Sequence, residues 1–198
     1  MKSTLNWRLG LSWSLATIAG LILGLVILFA GLGAAINNAS PFVFGLVLGC
    51  TLGFGCAIMQ WVALRQFVSP WWIAATFAAW AMFWAVNLAG FLGRGSGVIG
   101  KILEGIGHGA LFGGLLGFLQ WLVLRRQVQN AYWWIIATIL GWSIGAALGD
   151  GIKAALGSEA PIELVIGFLV STVVTAIALA RLFPISPPPA FSAKTGME

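Results

Sequence analysis

Glu104 and His108 stand four residues apart in "KILEGIGHGALFGG", and Lys101 precedes the glutamate by three. On a helix, positions i and i+4 share a face, so a carboxylate and the chain's single imidazole become neighbours. Such a pair can exchange a proton, contribute to a metal site or grip a polar ligand. A zinc centre needs three or four protein ligands, and one Glu with one His falls short. There is no H-E-x-x-H motif, and no aspartate pair lies in mid-helix. Catalytic, metal-ligating and cofactor-binding residues are therefore read as none, and the chain is not expected to be an enzyme. Lys101 is the simplest partner for Glu104, at i, i+3. His108 is deeper, and an ionisable group inside an apolar segment marks a functional site by default.

These residues need positioning elements, and composition says what kind. The chain has 198 residues, of which 60% are hydrophobic and 8% charged, with a mean hydropathy of +1.01. Soluble domains carry roughly a quarter charged residues. Apolar runs here repeatedly exceed the ~20 residues that cross a bilayer. The expected fold is all-α, a six-helix transmembrane bundle over about 11–36, 42–64, 71–92, 102–124, 133–156 and 162–182. Residues 1–183 form one membrane domain, and the Pro-rich 184–198 reads as a disordered cytoplasmic tail. The first apolar run is too long for a signal-peptide core of roughly 7–15 residues and is read as a retained helix. Cys50 and Cys56 are about 240° apart around one helix, so they read as small hydrophobes rather than a disulfide or metal pair.

The net charge of +5 comes from basic residues scattered at the ends of apolar runs, which is topology information rather than a nucleic-acid patch. Lys2, Arg8, Arg65, Arg125, Arg126, Arg181 and Lys194 fall on one side of a six-span layout. Only Arg94, Lys101 and Lys153 fall on the other. Both termini are expected in the cytoplasm of a bacterial inner membrane, cytoplasmic or thylakoid. Trp7, Trp13, Trp61, Trp71, Trp72, Trp121, Trp133, Trp134 and Tyr132 then lie near the cytoplasmic interface, as an aromatic belt would.

A repeat organises the chain. "QWVALR" at Gln60 answers "QWLVLR" at Gln120, and "WWIAAT" at Trp71 answers "WWIIAT" at Trp133. Helix one adds "WSLAT" at Trp13, and helix six ends on Arg181, with Ala176 at the glutamine position counted back from the arginine. The expectation is three tandem two-helix hairpins. Gly45, Gly49, Gly53 and Ala57 recur as Gly105, Gly109, Gly113 and Gly117, small-xxx-small ridges for close helix packing. Gln60 and Gln120 share a depth with Thr17, Thr76 and Thr138, which predicts an interhelical polar layer, since lipid satisfies no hydrogen bonds. The alternative is a polar constriction on a solute path. Toward the other side, Asn37 and Asn38, Asn87, Glu104, His108 and Asp150 gather at helix ends and are candidates for an outward-facing ligand pocket. Polar residues at helix ends also commonly meet nothing but water or headgroups.

The Q-W-x-x-L-R then W-W-x-x-A-T pattern, over roughly residues 40–182, resembles a set of uncharacterised bacterial membrane proteins of the cyanobacterial type. That resemblance implies bacterial origin and hairpin architecture, with no activity, cofactor or substrate attached. Four non-enzymatic roles fit the residues. A structural or assembly partner in a membrane complex, bound to another membrane protein or a second copy, is favoured by the glycine ridges. A small-solute transporter or its membrane substrate-binding subunit fits the size. A pigment, quinone or lipid binder would use His108 or the deeper Trp80, Trp84 and Trp142. A channel is disfavoured by apolar mid-helix positions.

Overall fold

The computed structural model describes residues 6–32, 39–88, 96–157 and 162–183. These form six α-helices and no strand: α1 Trp7–Ile27, α2 Pro41–Leu64, α3 Trp71–Leu88, α4 Gly97–Leu124, α5 Trp133–Leu156 and α6 Ile162–Leu182. A π-helical turn, Leu28–Leu32, extends α1. Asn37, Asn38 and the tail from 184 lie outside the described residues, as do the expected helix ends beyond 32 and 88.

Local chemistry sets the boundaries. Asn6 caps α1, its side-chain oxygen accepting from the Leu9 N–H at 3.2 Å, so the helix starts four residues earlier than its apolar run. Ser40 caps α2 in the same way, with Pro41 in the first turn, where its missing N–H costs nothing. Helix α4 starts at Gly97, five residues before its expected start, and so carries Lys101 within it. Gly157 ends α5 in the left-handed conformation.

Among the described residues, each helix packs on its neighbour in chain order and α6 returns to α1, closing a ring. The closure is hydrogen-bonded: the Asn6 N–H donates to the Ala180 carbonyl at 3.1 Å. The first and last described turns therefore meet at one end of the bundle. They join the two interhelical turns there in one cluster that includes Leu9, Leu64, Val68, Leu124, Ala131 and Leu179. Close approach is built on glycine. A Cβ added at Gly20 would lie 2.6 Å from Cys56 Cα, and one at Gly105 would lie 2.7 Å from the Ala146 carbonyl carbon.

The surface is inverted relative to a soluble bundle. Along α5, Ile136, Leu140, Ile144, Leu148 and Ile152 are exposed at four-residue spacing, while Trp134, Thr138, Gly141 and Gly145 face inward. Water would penalise such a stripe, whereas hydrocarbon accepts it. Among the described residues, five helices are long and apolar enough to cross a membrane, so this is a multi-pass membrane protein. Helix α3 is not among the five. Its 18 described residues include four tryptophans and Asn87, which lower its hydropathy, and the expected extension to 92 lies outside the described residues.

Candidate functional site

Three tryptophans meet on the bundle axis. Trp13, Trp72 and Trp134, each at most 2% exposed, contact one another with ring centroids 5.6–5.9 Å apart. They come from α1, α3 and α5, so the alternate helices of the ring each contribute one. All three stay at the turn end of the bundle, but they face its core, so their N–H groups do not meet interfacial water. In each doubled Trp-Trp, the first indole is exposed (Trp71 74%, Trp133 53%) and the second is buried. A buried indole N–H needs a protein acceptor in place of water, and the glutamines supply it. Trp72 Nε1 donates to Gln60 Oε1 at 3.4 Å, and Trp134 Nε1 donates to Gln120 Oε1 at 2.9 Å. Each glutamine then passes the bond on. Gln60 Nε2 donates to Thr17 at 3.3 Å, and Gln120 Nε2 donates to Thr76 at 2.8 Å.

The third position differs. Trp13 Nε1 donates to Thr175 Oγ1 at 3.1 Å. Thr175, and not Ala176, therefore stands where the glutamines stand. Helix α6 carries one more residue between this layer and its arginine: Leu64 and Leu124 directly precede Arg65 and Arg125, but Ala180 separates the equally buried Leu179 from Arg181. Counting back from the arginine thus lands one position off. Thr138 meets no glutamine, and its hydroxyl donates to the Trp134 and Ile135 carbonyls of its own helix.

At the opposite end, the structure brings Asn87, Glu104, His108 and Asp150 to the wall of one cavity of about 430 Å³. Trp80, Phe83, Trp84, Phe112 and Trp142 line its apolar part, and Lys101 and Lys153 add two cations to its polar part. The Glu104 carboxylate sits between two basic groups: Lys101 Nζ is 2.7 Å from Oε2, and His108 Nδ1 is 3.9 Å from Oε1. Each of two facing helices contributes one charge of each sign to the lining, Lys101 and Glu104 from α4, Asp150 and Lys153 from α5. The Trp84 indole N–H, buried in the same wall, has no partner among the described residues. Aromatic surface beside converging donors and acceptors is what holds and orients a small organic molecule. Among the described residues, no group of three or more His, Cys, Asp or Glu is placed to hold a metal.

Trp80, Phe112 and Trp142 pack edge to face, with centroids 4.5–5.9 Å apart, and form the cavity's floor. Beneath them lies a chamber of about 20 Å³ lined by Thr17, Gln60, Gln120, Thr138, Ser171, Thr172 and Thr175. Trp80 and Trp142 border both spaces, so the axis runs cavity, aromatic septum, chamber and tryptophan triad.

One motif escaped the sequence reading. Gly141-Trp142-Ser143-Ile144-Gly145 has the G-x-S-x-G spacing of a nucleophile elbow. It lies within the uninterrupted helix α5, whereas an elbow needs a strand-to-helix turn. Its glycines instead seat α5 on α6, Gly145 against Gly167 and Gly141 against Ser171. From the sequence the septum tryptophans read only as deep, because their convergence depends on three helices at once.

No protein-family model matches the chain, and no curated protein or solved structure is similar to it with statistical support.

Proposed function

We propose that this multi-pass membrane protein binds a small organic solute, without catalysis, in the cavity between α3, α4 and α5, as a transporter or the membrane substrate-binding subunit of one. The carrying observation is the cavity itself. Its volume of about 430 Å³ lies within the 300–1,000 Å³ typical of small-molecule sites. Paired opposite charges at its polar part favour a solute of little net charge, neutral or zwitterionic. Below it, the septum and the triad fill the axis, so the cavity is a dead end suited to binding rather than to open conduction.

The supporting architecture in this reading is three hairpin repeats closed into a ring, spanning a bacterial inner membrane six times. Both termini would face the cytoplasm, and the cavity would open outward. The basic bias of the turn end supports that orientation. The assembly role loses its main support, because the glycine ridges are used inside the chain. Gly20 and Gly24 seat α1 on α2, Gly49 seats α2 on α3, Gly105 seats α4 on α5, and Gly145 seats α5 on α6.

The test is native mass spectrometry of the protein extracted in mild detergent, followed by a thermal-shift screen of neutral and zwitterionic metabolites. A bound small molecule that is lost in Leu164→Trp, which fills the cavity, supports the reading. A stoichiometric protein partner and no small molecule would replace it with the assembly role.

A further inference from the structure

The chamber beneath the septum contains the one break in a regular hydrogen-bond pattern. On two sides of the axis, a glutamine carboxamide links a tryptophan on one neighbouring helix to a threonine on the other. Trp72–Gln60–Thr17 and Trp134–Gln120–Thr76 are the two links. The third link, between Trp13 and Thr138 through α6, is incomplete. Thr175 accepts from Trp13 as a glutamine would, but its side chain is shorter, and its own proton goes back to the Ser171 and Thr172 carbonyls. The space a third carboxamide would occupy is left over.

That space is polar and has unused capacity. Thr172 is 3% exposed, and its hydroxyl, lining the chamber, has no partner among the described residues. Thr138 and Ser171 donate to carbonyls of their own helices, so their oxygens can still accept. Each glutamine nitrogen carries a second N–H. The chamber's volume of about 20 Å³ exceeds the roughly 10–15 Å³ that one water needs by this measure. A buried hydroxyl left without a partner is costly, and one water with two to four polar neighbours removes that cost.

We propose that a single ordered water occupies this chamber, hydrogen-bonded to the Thr172 hydroxyl, and stands in for the missing third carboxamide. A bound cation is the chemical competitor. No carboxylate lines the chamber, so no opposite charge there offsets the burial of a cation. The water completes the polar layer through α6, which has no glutamine where α2 and α4 each have one.

A density map at better than about 2 Å resolution, finer than the roughly 2.5–3.2 Å between hydrogen-bonded heavy atoms, tests this directly, alongside two variants melted in detergent. The expected result is an isolated peak within hydrogen-bond distance of Thr172 Oγ1. In Thr175→Gln the new carboxamide fills the chamber, the peak disappears and Tm is held or raised. Thr172→Val, which keeps the shape but removes a water ligand, lowers Tm by a few degrees. No peak in the native protein, together with a raised Tm for Thr172→Val, would mean a dry chamber and would overturn the proposal. A Tm that depends on sodium chloride rather than choline chloride, with a peak ringed by oxygens, would overturn it in favour of a cation. If Thr175→Gln fails to fold, the native map and Thr172→Val decide the matter between them.

Discussion

The indole N–H of Trp13 reaches the hydroxyl of Thr175, 162 positions later in the chain, at 3.1 Å. With the Asn6 to Ala180 backbone bond, this contact joins the first helix to the last where the other junctions at that end are covalent turns. The ring is therefore closed by side-chain chemistry at the same level as its tryptophan triad. A polar layer at that depth is structural in the strict sense that removing one member leaves another buried and unpaired.

Gln120→Leu is expected to lower stability more than Gln60→Leu. Gln120 makes bonds of 2.8 and 2.9 Å, whereas those of Gln60 are 3.3 and 3.4 Å. Interhelical bonds in membranes average about 0.6 kcal/mol and reach about 1.7, so two lost bonds give roughly 1–3 kcal/mol. Thermal unfolding in detergent, followed by circular dichroism, measures it. Equal stability of Gln120→Leu and the native protein would remove the layer's structural role.

Trp72→Phe and Trp71→Phe should behave oppositely despite being adjacent. Trp72 is fully buried and donates to Gln60, so its loss leaves a buried acceptor unpaired, costing about 1–3 kcal/mol. Trp71 is 74% exposed, and its replacement should stay within about 0.5 kcal/mol of native. Melting curves of the two variants compare them, and a costlier Trp71→Phe would reverse the assignment of inner and outer faces.

Gly105→Ala and Gly107→Ala form a second matched pair. At Gly105 the added methyl meets the backbone of Ala146 at 2.7 Å, which forces α4 and α5 apart at a cost of about 1–3 kcal/mol. At Gly107 nothing lies within 4 Å, and alanine is the better helix former, so stability should hold or rise. The check is the difference in detergent melting temperature; similar losses at both sites would argue against the α4–α5 packing.

Orientation is open to labelling. With Cys50 and Cys56 replaced, Gln66→Cys in the α2–α3 turn should react with an impermeant maleimide only from the cytoplasmic face. Ser96→Cys, at the start of α4, should react only from outside. Both native residues are exposed and stand at opposite ends of the bundle. Labelling of both from the same face would refute the six-span layout, and a clean reversal would place the cavity on the cytoplasmic side.

Sequence alone determined the solvent and the elements. Hydropathy identifies lipid as the surroundings because apolar runs long enough to cross a bilayer recur along the chain, and the helix periods and caps are local. Four members of the polar layer, Gln60, Gln120, Thr17 and Thr76, were legible from spacing, because a polar group at membrane depth must find a partner whatever the fold; Thr138, expected with them, bonds within its own helix. The grouping of Glu104 with Lys101 was legible because both lie on one helix turn.

Tertiary structure decided the rest, and the reason is helix rotation. A helix apolar all round gives no signal of which face turns inward, so sequence did not say which tryptophan of each pair enters the core. Backbone approach at glycine sets that rotation, and it placed Trp72 and Trp134 inside, where the glutamines replace water as partners for their N–H groups. The register of α6 was likewise hidden: one extra residue before Arg181 moves Thr175 into the glutamine's place, which only the contact with Trp13 reveals. The cavity and the chamber needed three or more helices at fixed angles, because a void belongs to no single segment of the chain.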